Sequence, residues 1–163
     1  MNNIHLISTG GTIDKRYNAI NGYLDVGSSV MPGIMESAGV SLAGVPISAF
    51  LQKDSLDISD TERADLAGFI ASASSTRILV THGTDTMGET AAYIERAVSG
   101  KTVVLTGSMV PYEISSVESA FNMGVALSAV RLLPPGVYIA MHGTVLPHAQ
   151  YQKNRQSGRF VQQ

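Results

Sequence analysis

Five short apolar runs punctuate the chain: Ile4 to Ser8, Val45 to Leu51, Ile78 to Thr81, Val103 to Thr106 and Val137 to Met141. Segments of helical character separate them. Each run is continuously apolar rather than alternating, as a strand covered on both faces requires. Parallel strands need long crossovers, and helices are the usual ones. The pattern predicts an α/β fold, a doubly wound three-layer sandwich with a mostly parallel sheet, built as a single domain over residues 1–163.

The breaks that follow the runs narrow the reading. They are Thr9 to Thr12, Asp54-Ser55, His82 to Thr86, Gly107-Ser108 and His142 to Thr144, and four of these five place glycine beside a hydroxyl residue. Open α/β sheets bind ligands outside the carboxyl ends of their strands. The five breaks are therefore the candidate walls of a site.

Between the runs, Pro32 suits the first turn of a short helix reaching Ser37, which Gly39 stops. Ser59 and Glu62 form a capping box ahead of a helix with Leu66, Phe69, Ile70 and Ala73 on one face. Met87, Ala91, Ile94 and Val98 mark the next helix, ended by Gly100. Val117 to Leu133 reads as a long helix, apolar on more than one side and therefore well buried, ended by Pro134-Pro135-Gly136. Residues 14–29, broken by Asn18, Asn21 and Gly22, read as a mobile loop, and the chain after Pro147 as polar and irregular.

Composition excludes several classes. A net charge of −2 and a pI near 6.0 give no basic footprint for nucleic acid. The absence of cysteine removes disulfides, thiol catalysis and thiolate-bound zinc. No apolar stretch reaches the ~18 residues of a membrane span; the longest candidate, around Phe121 to Leu133, contains Asn122, Ser128 and Arg131. No basic segment followed by an apolar one opens the chain, so the expected compartment is the cytoplasm.

Threonine and serine are weak nucleophiles that need a base or proton relay nearby. Glycines beside them expose backbone N–H groups that can stabilise an oxyanion. Thr9 to Thr12 and His82 to Thr86 suit this chemistry, yet each also fits a tight turn, and Asp85 also fits a helix cap. Neither a dinucleotide fingerprint, a P-loop nor a G-x-S-x-G elbow occurs. The histidines lack H-E-x-x-H spacing, with His142 and His148 the only pair that could meet on a metal; His82 reads as holding its own turn by hydrogen bonds. By composition alone, Tyr23 is a loop aromatic and Lys153 an ordinary surface lysine.

TGGTI at Thr9 to Ile13 and HGTDTM at His82 to Met87, in this order and spacing, resemble the bacterial-type L-asparaginase family. NGYLDVGS around Tyr23, KDSLDIS around Ser55, LTGSMVP at Leu105 to Pro111 and MHGTVLPHAQYQK into Lys153 are weaker similarities. The likeness spans nearly the whole chain but only the amino-terminal domain of the family, as in short-chain asparaginases. It implies Thr12 as nucleophile, Tyr23 as a covering loop tyrosine bonded to that threonine, and Thr84, Asp85 and Lys153 as a second triad. It also implies a substrate pocket of Gly11, Asp54, Ser55, Gly83, Thr84 and Asp85, with Ser55 on the α-carboxylate and Asp85 on the α-ammonium. The implied reaction is hydrolysis of L-asparagine to L-aspartate and ammonia through an acyl-enzyme, without metal or organic cofactor. A non-catalytic amino-acid-binding module and an amidase for glutamine or another carboxamide are the alternatives.

The expected partners follow: a small-molecule substrate, L-asparagine or L-glutamine; no nucleic acid; no membrane; and further copies of the chain in a homo-oligomer. Three departures stand out. The likeness does not extend to the family's second domain, Leu56 replaces a polar residue beside Ser55, and Glu118 stands where aspartate is usual before the long helix.

Overall fold

The computed structural model describes residues 3–162. The elements run β1 (Ile4–Gly10), β2 (Lys15–Tyr17), β3 (Leu24–Val26), α1 (Met31–Ser37), β4 (Ile47–Lys53), α2 (Asp60–Ser72), β5 (Arg77–Thr81), α3 (Met87–Ala97), β6 (Thr102–Thr106), α4 (Ser116–Leu132), β7 (Gly136–Met141), β8 (Thr144–Pro147), β9 (Tyr151–Asn154) and β10 (Arg159–Gln162). Short single turns at Thr12–Asp14, Ser55–Asp57 and His148–Gln150 link some of them.

The central sheet has six strands in the order β4-β1-β5-β6-β7-β8. Its first five strands pair in parallel, and β8 returns antiparallel to β7. Alternation along each strand feeds two cores. Ile78 and Val80 face Leu66 and Ile70 of α2 and Ala91 and Ile94 of α3. Leu79, between them, faces Met31 and Met35 of α1 and Met123 and Val130 of α4. Helices thus cover both faces, giving the doubly wound three-layer sandwich expected. Burying each such aliphatic side chain contributes about 1.5–3 kcal/mol, which is why the strands are apolar throughout.

Local signals act where expected. Ser59 Oγ accepts from the Glu62 amide at 3.3 Å, and Glu62 Oε2 accepts from the Ser59 amide at 2.9 Å, closing the box that starts α2. His142 and Gly143, at φ 52° and 78°, form a two-residue hairpin turn between β7 and β8. Positive φ at both central residues matches the twist of the strands. That strand end is therefore a hairpin turn.

Three expectations are corrected. Residues 14–29 are not an irregular loop: β2 and β3 pair antiparallel, and the Asn18 and Asn21 side chains both bond Asp25 across the turn. The chain after Pro147 is not irregular either. There β9 and β10 form a hairpin whose Tyr151 and Phe160 are buried in the main core. Two anchors suffice, because the hairpin's other face is solvated and needs no apolar residues. Finally, α4 is buried on one side only; Val117, Phe121 and Leu132 are 76%, 56% and 82% exposed. An apolar groove runs along that side between Phe121, Val125, Leu132 and Val145.

Candidate active site

From β1 the chain crosses to β4 on one side, and from β4 to β5 on the other. The crevice at the carboxyl ends of β1 and β5 is the switch point of the sheet, where ligands enter such folds. Thr12 follows β1 there, Ser55 follows β4, and Thr84 follows β5.

Glycine lets these ends meet. A Cβ on Gly11, whose φ is +87°, would lie 2.3 Å from the Gly83 nitrogen. One on Gly83 would lie 2.6 Å from the Ser55 Cβ and Oγ. The ends of β1 and β5 therefore pack backbone to backbone, and the end of β4 packs its Ser55 side chain against Gly83. The Gly11 amide donates to the Lys53 carbonyl at 2.9 Å. It is thus committed within the protein, and Gly11 serves as a spacer rather than an oxyanion donor.

The repeated hydroxyls divide into two groups. Thr9 Oγ1 donates to the Thr81 carbonyl at 2.9 Å, Thr86 to Ser55 at 2.8 Å and Thr106 to Ala140 at 2.8 Å. These cross-tie neighbouring strand ends and satisfy buried carbonyls. Ser108 donates to the Val110 carbonyl at 2.5 Å and Thr144 starts β8, so at the switch point Thr12, Ser55 and Thr84 remain. Among the described residues, no hydrogen bond holds the Thr12 hydroxyl, and the buried Ser55 Oγ also has no partner.

Thr84 and Asp85 meet Lys153. The Lys153 ammonium donates to Thr84 Oγ1 and to Asp85 Oδ1, both at 2.9 Å. The Lys153 side chain is only 12% exposed. Lys153 lies on β9, one position past Gln152 and two past Tyr151, whose hydroxyl donates to the Met141 carbonyl at 2.9 Å. Alternation then turns Tyr151 and Lys153 to the same, inner face. Beside the triad lies a cavity of about 200 Å³ lined by Thr84, Asp85, Glu89, Lys153, Arg155 and Phe160. Arg155 also donates to the Asp85 carbonyl, a contact the polar tail did not suggest.

One expected residue, Tyr23, stands apart, and Asp54 is already paired. Tyr23 is 71% exposed in the turn between β2 and β3, and among the described residues its hydroxyl bonds nothing. The bond to Thr12 that the resemblance implied is not made here. Asp54 pairs with Lys15 at 2.6 Å and accepts from the Leu56 amide at 3.1 Å. Burial pushes its carboxyl up, but these partners outweigh it and hold it below the ordinary range. Leu56 is exposed, so that departure falls on the surface. Glu118 accepts from the Met109 and Val110 amides and pairs with His142 at 3.2 Å. His148 pairs with Glu95 instead, so the two histidines do not converge.

Buried His82 holds its turn as expected. Its Nδ1 contacts the Gly83 carbonyl at 2.8 Å and its Nε2 the Thr90 hydroxyl at 2.8 Å. A carbonyl only accepts, so Nδ1 carries the proton and Nε2 accepts from Thr90. Burial drives the His82 pKa down to about 4, with Arg63 adding to the shift and the Gly83 carbonyl and Asp54 opposing it. The ring is neutral when folded, so its contribution is lost as pH falls from 6.5 towards 4. Asp14 carries the opposite sign. Burial lifts its carboxyl to about 6 against the pull of Val30, Ser29 and Arg16. The native state then holds an extra proton between about 4 and 6, and stability falls as pH rises through that window. Each effect is about 3 kcal/mol, so they nearly cancel. Asp14→Asn removes one and leaves the other. Its urea midpoint is expected to fall more steeply than the native one between pH 6.5 and 4.5, as denaturation followed by circular dichroism will show.

Among the described residues, no helix is long and apolar enough to cross a membrane. The asparaginase amino-terminal family model matches residues 3–160. A glutaminase-asparaginase of Acinetobacter glutaminasificans is 30% identical over 99% of this chain and 53% of its own. A probable periplasmic L-asparaginase of Haemophilus influenzae is 31% identical over 88% of this chain and 44% of its own. The solved thermostable L-asparaginase from Thermococcus kodakarensis superposes with a TM-score of 0.81 at 27% identity, over 98% of this chain and 50% of that one. The chain spans about half the length of the curated relatives it matches. With the switch-point site and the match over nearly every residue, the chain belongs to the asparaginase family, aligning with its amino-terminal domain.

Proposed function

We propose that the chain hydrolyses L-asparagine to L-aspartate and ammonia, with Thr12 as nucleophile. The observation that carries this reading is the Lys153 ammonium bonded to both Thr84 and Asp85, at the crevice where Gly11, the residue before Thr12, packs against Gly83, the residue before Thr84. Asp85 offers a carboxylate for the substrate ammonium, and the unpartnered Ser55 hydroxyl offers a donor for its carboxylate. Thr12 Oγ attacks the side-chain carbonyl carbon as its proton passes towards the amide nitrogen. The tetrahedral intermediate expels ammonia as the C–N bond breaks and a proton reaches the nitrogen. Water, activated by Thr84 with Lys153 as relay, then cleaves the aspartyl ester and restores Thr12. The cycle needs neither a metal nor an organic cofactor. Gly83 and Asp54 shape the pocket through the Ser55 contact and the Lys15 pair.

The test is ammonia release from L-asparagine by purified protein. Thr12→Ala and Thr84→Val are each expected to lower kcat/KM by about a thousandfold or more. Activity that survives both would remove the mechanism. L-Glutamine belongs in the same assay, because one relative is named for both amides. The exposed Tyr23 favours a second reading, a binding module without turnover. Calorimetric binding of L-aspartate with no ammonia release from L-asparagine would support that instead.

The exposed apolar side of α4 supports a homo-oligomer, since patches of this kind mark contact surfaces. Light scattering at micromolar concentration is expected to give at least a dimer, and Phe121→Glu a monomer.

A further inference from the structure

Asp14 sits two residues after Thr12 and is 1% exposed, and its Oδ2 has no hydrogen-bond partner among the described residues. Three of its groups tie three separate points of the chain. Its amide donates to the Gly11 carbonyl at 3.1 Å. Its carbonyl accepts from the Gly27 amide at 2.8 Å. Its Oδ1 accepts from the Val30 amide at 2.8 Å. Gly11 precedes Thr12, while Gly27 and Val30 follow the hairpin of β2 and β3 that bears Tyr23. The knot therefore joins both ends of that hairpin to the turn of the candidate nucleophile.

The hairpin's other anchors are weaker. Lys15–Asp54 is a partly exposed ion pair, and such pairs contribute little. The Tyr17 amide donates to Glu113, and Gln52 donates to the Val26 carbonyl, both in exposed settings. Asp14 is the buried anchor, and losing its side-chain acceptor leaves the Val30 amide without a partner, which is costly.

We propose that Asp14 is a positioning residue: it clamps the base of the β2–β3 hairpin to the Thr12 turn, so that hairpin and nucleophile keep one register over the substrate. The substrate part rests on the hydrolase reading above; the clamp itself rests on geometry alone. A side chain that only shores up the fold would change the amount of active protein and leave KM alone. A clamp on a covering hairpin changes KM.

The experiment pairs hydrogen exchange with kinetics on the full chain. In Asp14→Ala, exchange over residues 15–30 is expected to rise by about tenfold or more while α2 and α3 stay protected. KM for L-asparagine is expected to rise by about tenfold, with kcat per folded molecule within about threefold. Asp14→Asn keeps the Oδ1 acceptor and is expected to restore both. Should Asp14→Ala fail to fold, Val30→Pro deletes the amide donor instead, at a φ of −83° that proline tolerates, and is expected to loosen the same hairpin. Unchanged hairpin exchange in either variant, an unchanged KM in active protein, or an Asn variant as impaired as the Ala variant would overturn the proposal. A native chain that releases no ammonia would end the hydrolase reading, and the exchange measurement would still decide the clamp.

Discussion

Lys153→Arg is expected to fold as the native chain does and to lose about a thousandfold or more in kcat/KM for L-asparagine. Arginine keeps the positive charge and can keep the pair with Asp85, so stability measured by urea denaturation should change little. What it loses is the ability to give and take a proton, because a guanidinium does not deprotonate in a protein. Lys153→Met removes charge and relay together and leaves Thr84 Oγ1 and Asp85 Oδ1 without their donor. It is expected to be as inactive and also less stable. The comparison separates the ammonium as an electrostatic partner from the amine as a relay. An arginine variant with more than about a tenth of native activity would show that charge alone is enough and that the relay is wrong.

The second large effect falls on the glycines. Gly11→Ala is expected to cost about 3 kcal/mol or more, from overpacking added to a positive φ. Gly83→Ala is expected to cost about 1–3 kcal/mol by overpacking. The two differ in what could relieve them. The atoms nearest a Cβ on Gly83 belong to the Ser55 side chain, whereas those facing a Cβ on Gly11 are backbone of Gly83 and His82. Adding Ser55→Gly should therefore recover part of the loss in Gly83→Ala and none in Gly11→Ala. Urea midpoints of the two double variants check this coupling. Equal recovery in both would mean that the strand ends are not packed as described.

How far the site could be read in advance differs residue by residue. Ser59 and Glu62 cap α2 because both partners of a capping box lie within one turn of each other in the chain. The continuously apolar runs became parallel strands because burial on both faces leaves no position for a polar side chain. Lys153 could not be recognised from composition. Its neighbours in sequence are polar, and its partners Thr84 and Asp85 lie 69 and 68 positions away. The β9–β10 hairpin that delivers it was hidden because only Tyr151 and Phe160 anchor it. The glycine-and-hydroxyl repeat was visible throughout. It gave no means of telling the cross-ties at Thr9, Thr86 and Thr106 from the unbonded hydroxyls at Thr12 and Ser55 and the Lys153-bonded one at Thr84.

The α4 helix shows the same limit from the other direction. Its composition is apolar nearly all round, yet Val117, Phe121 and Leu132 face outward. Hydrophobicity says how much surface a helix would bury, not which neighbours exist to bury it. Asp14 was equally opaque: a carboxylate in a polar stretch reads as solvated until the turns at Gly11, Gly27 and Val30 close around it.

By itself the amino-acid sequence determined the layers, the parallel sheet, the start of α2 and the family, because those depend on periodicity, caps and motifs that are local in the chain. Only the tertiary structure decided which hydroxyls are free, which carboxylates are paired and where Tyr23 stands. Those properties depend on distance in space, and in this chain the sheet order β4-β1-β5 brings together residues that the sequence keeps far apart.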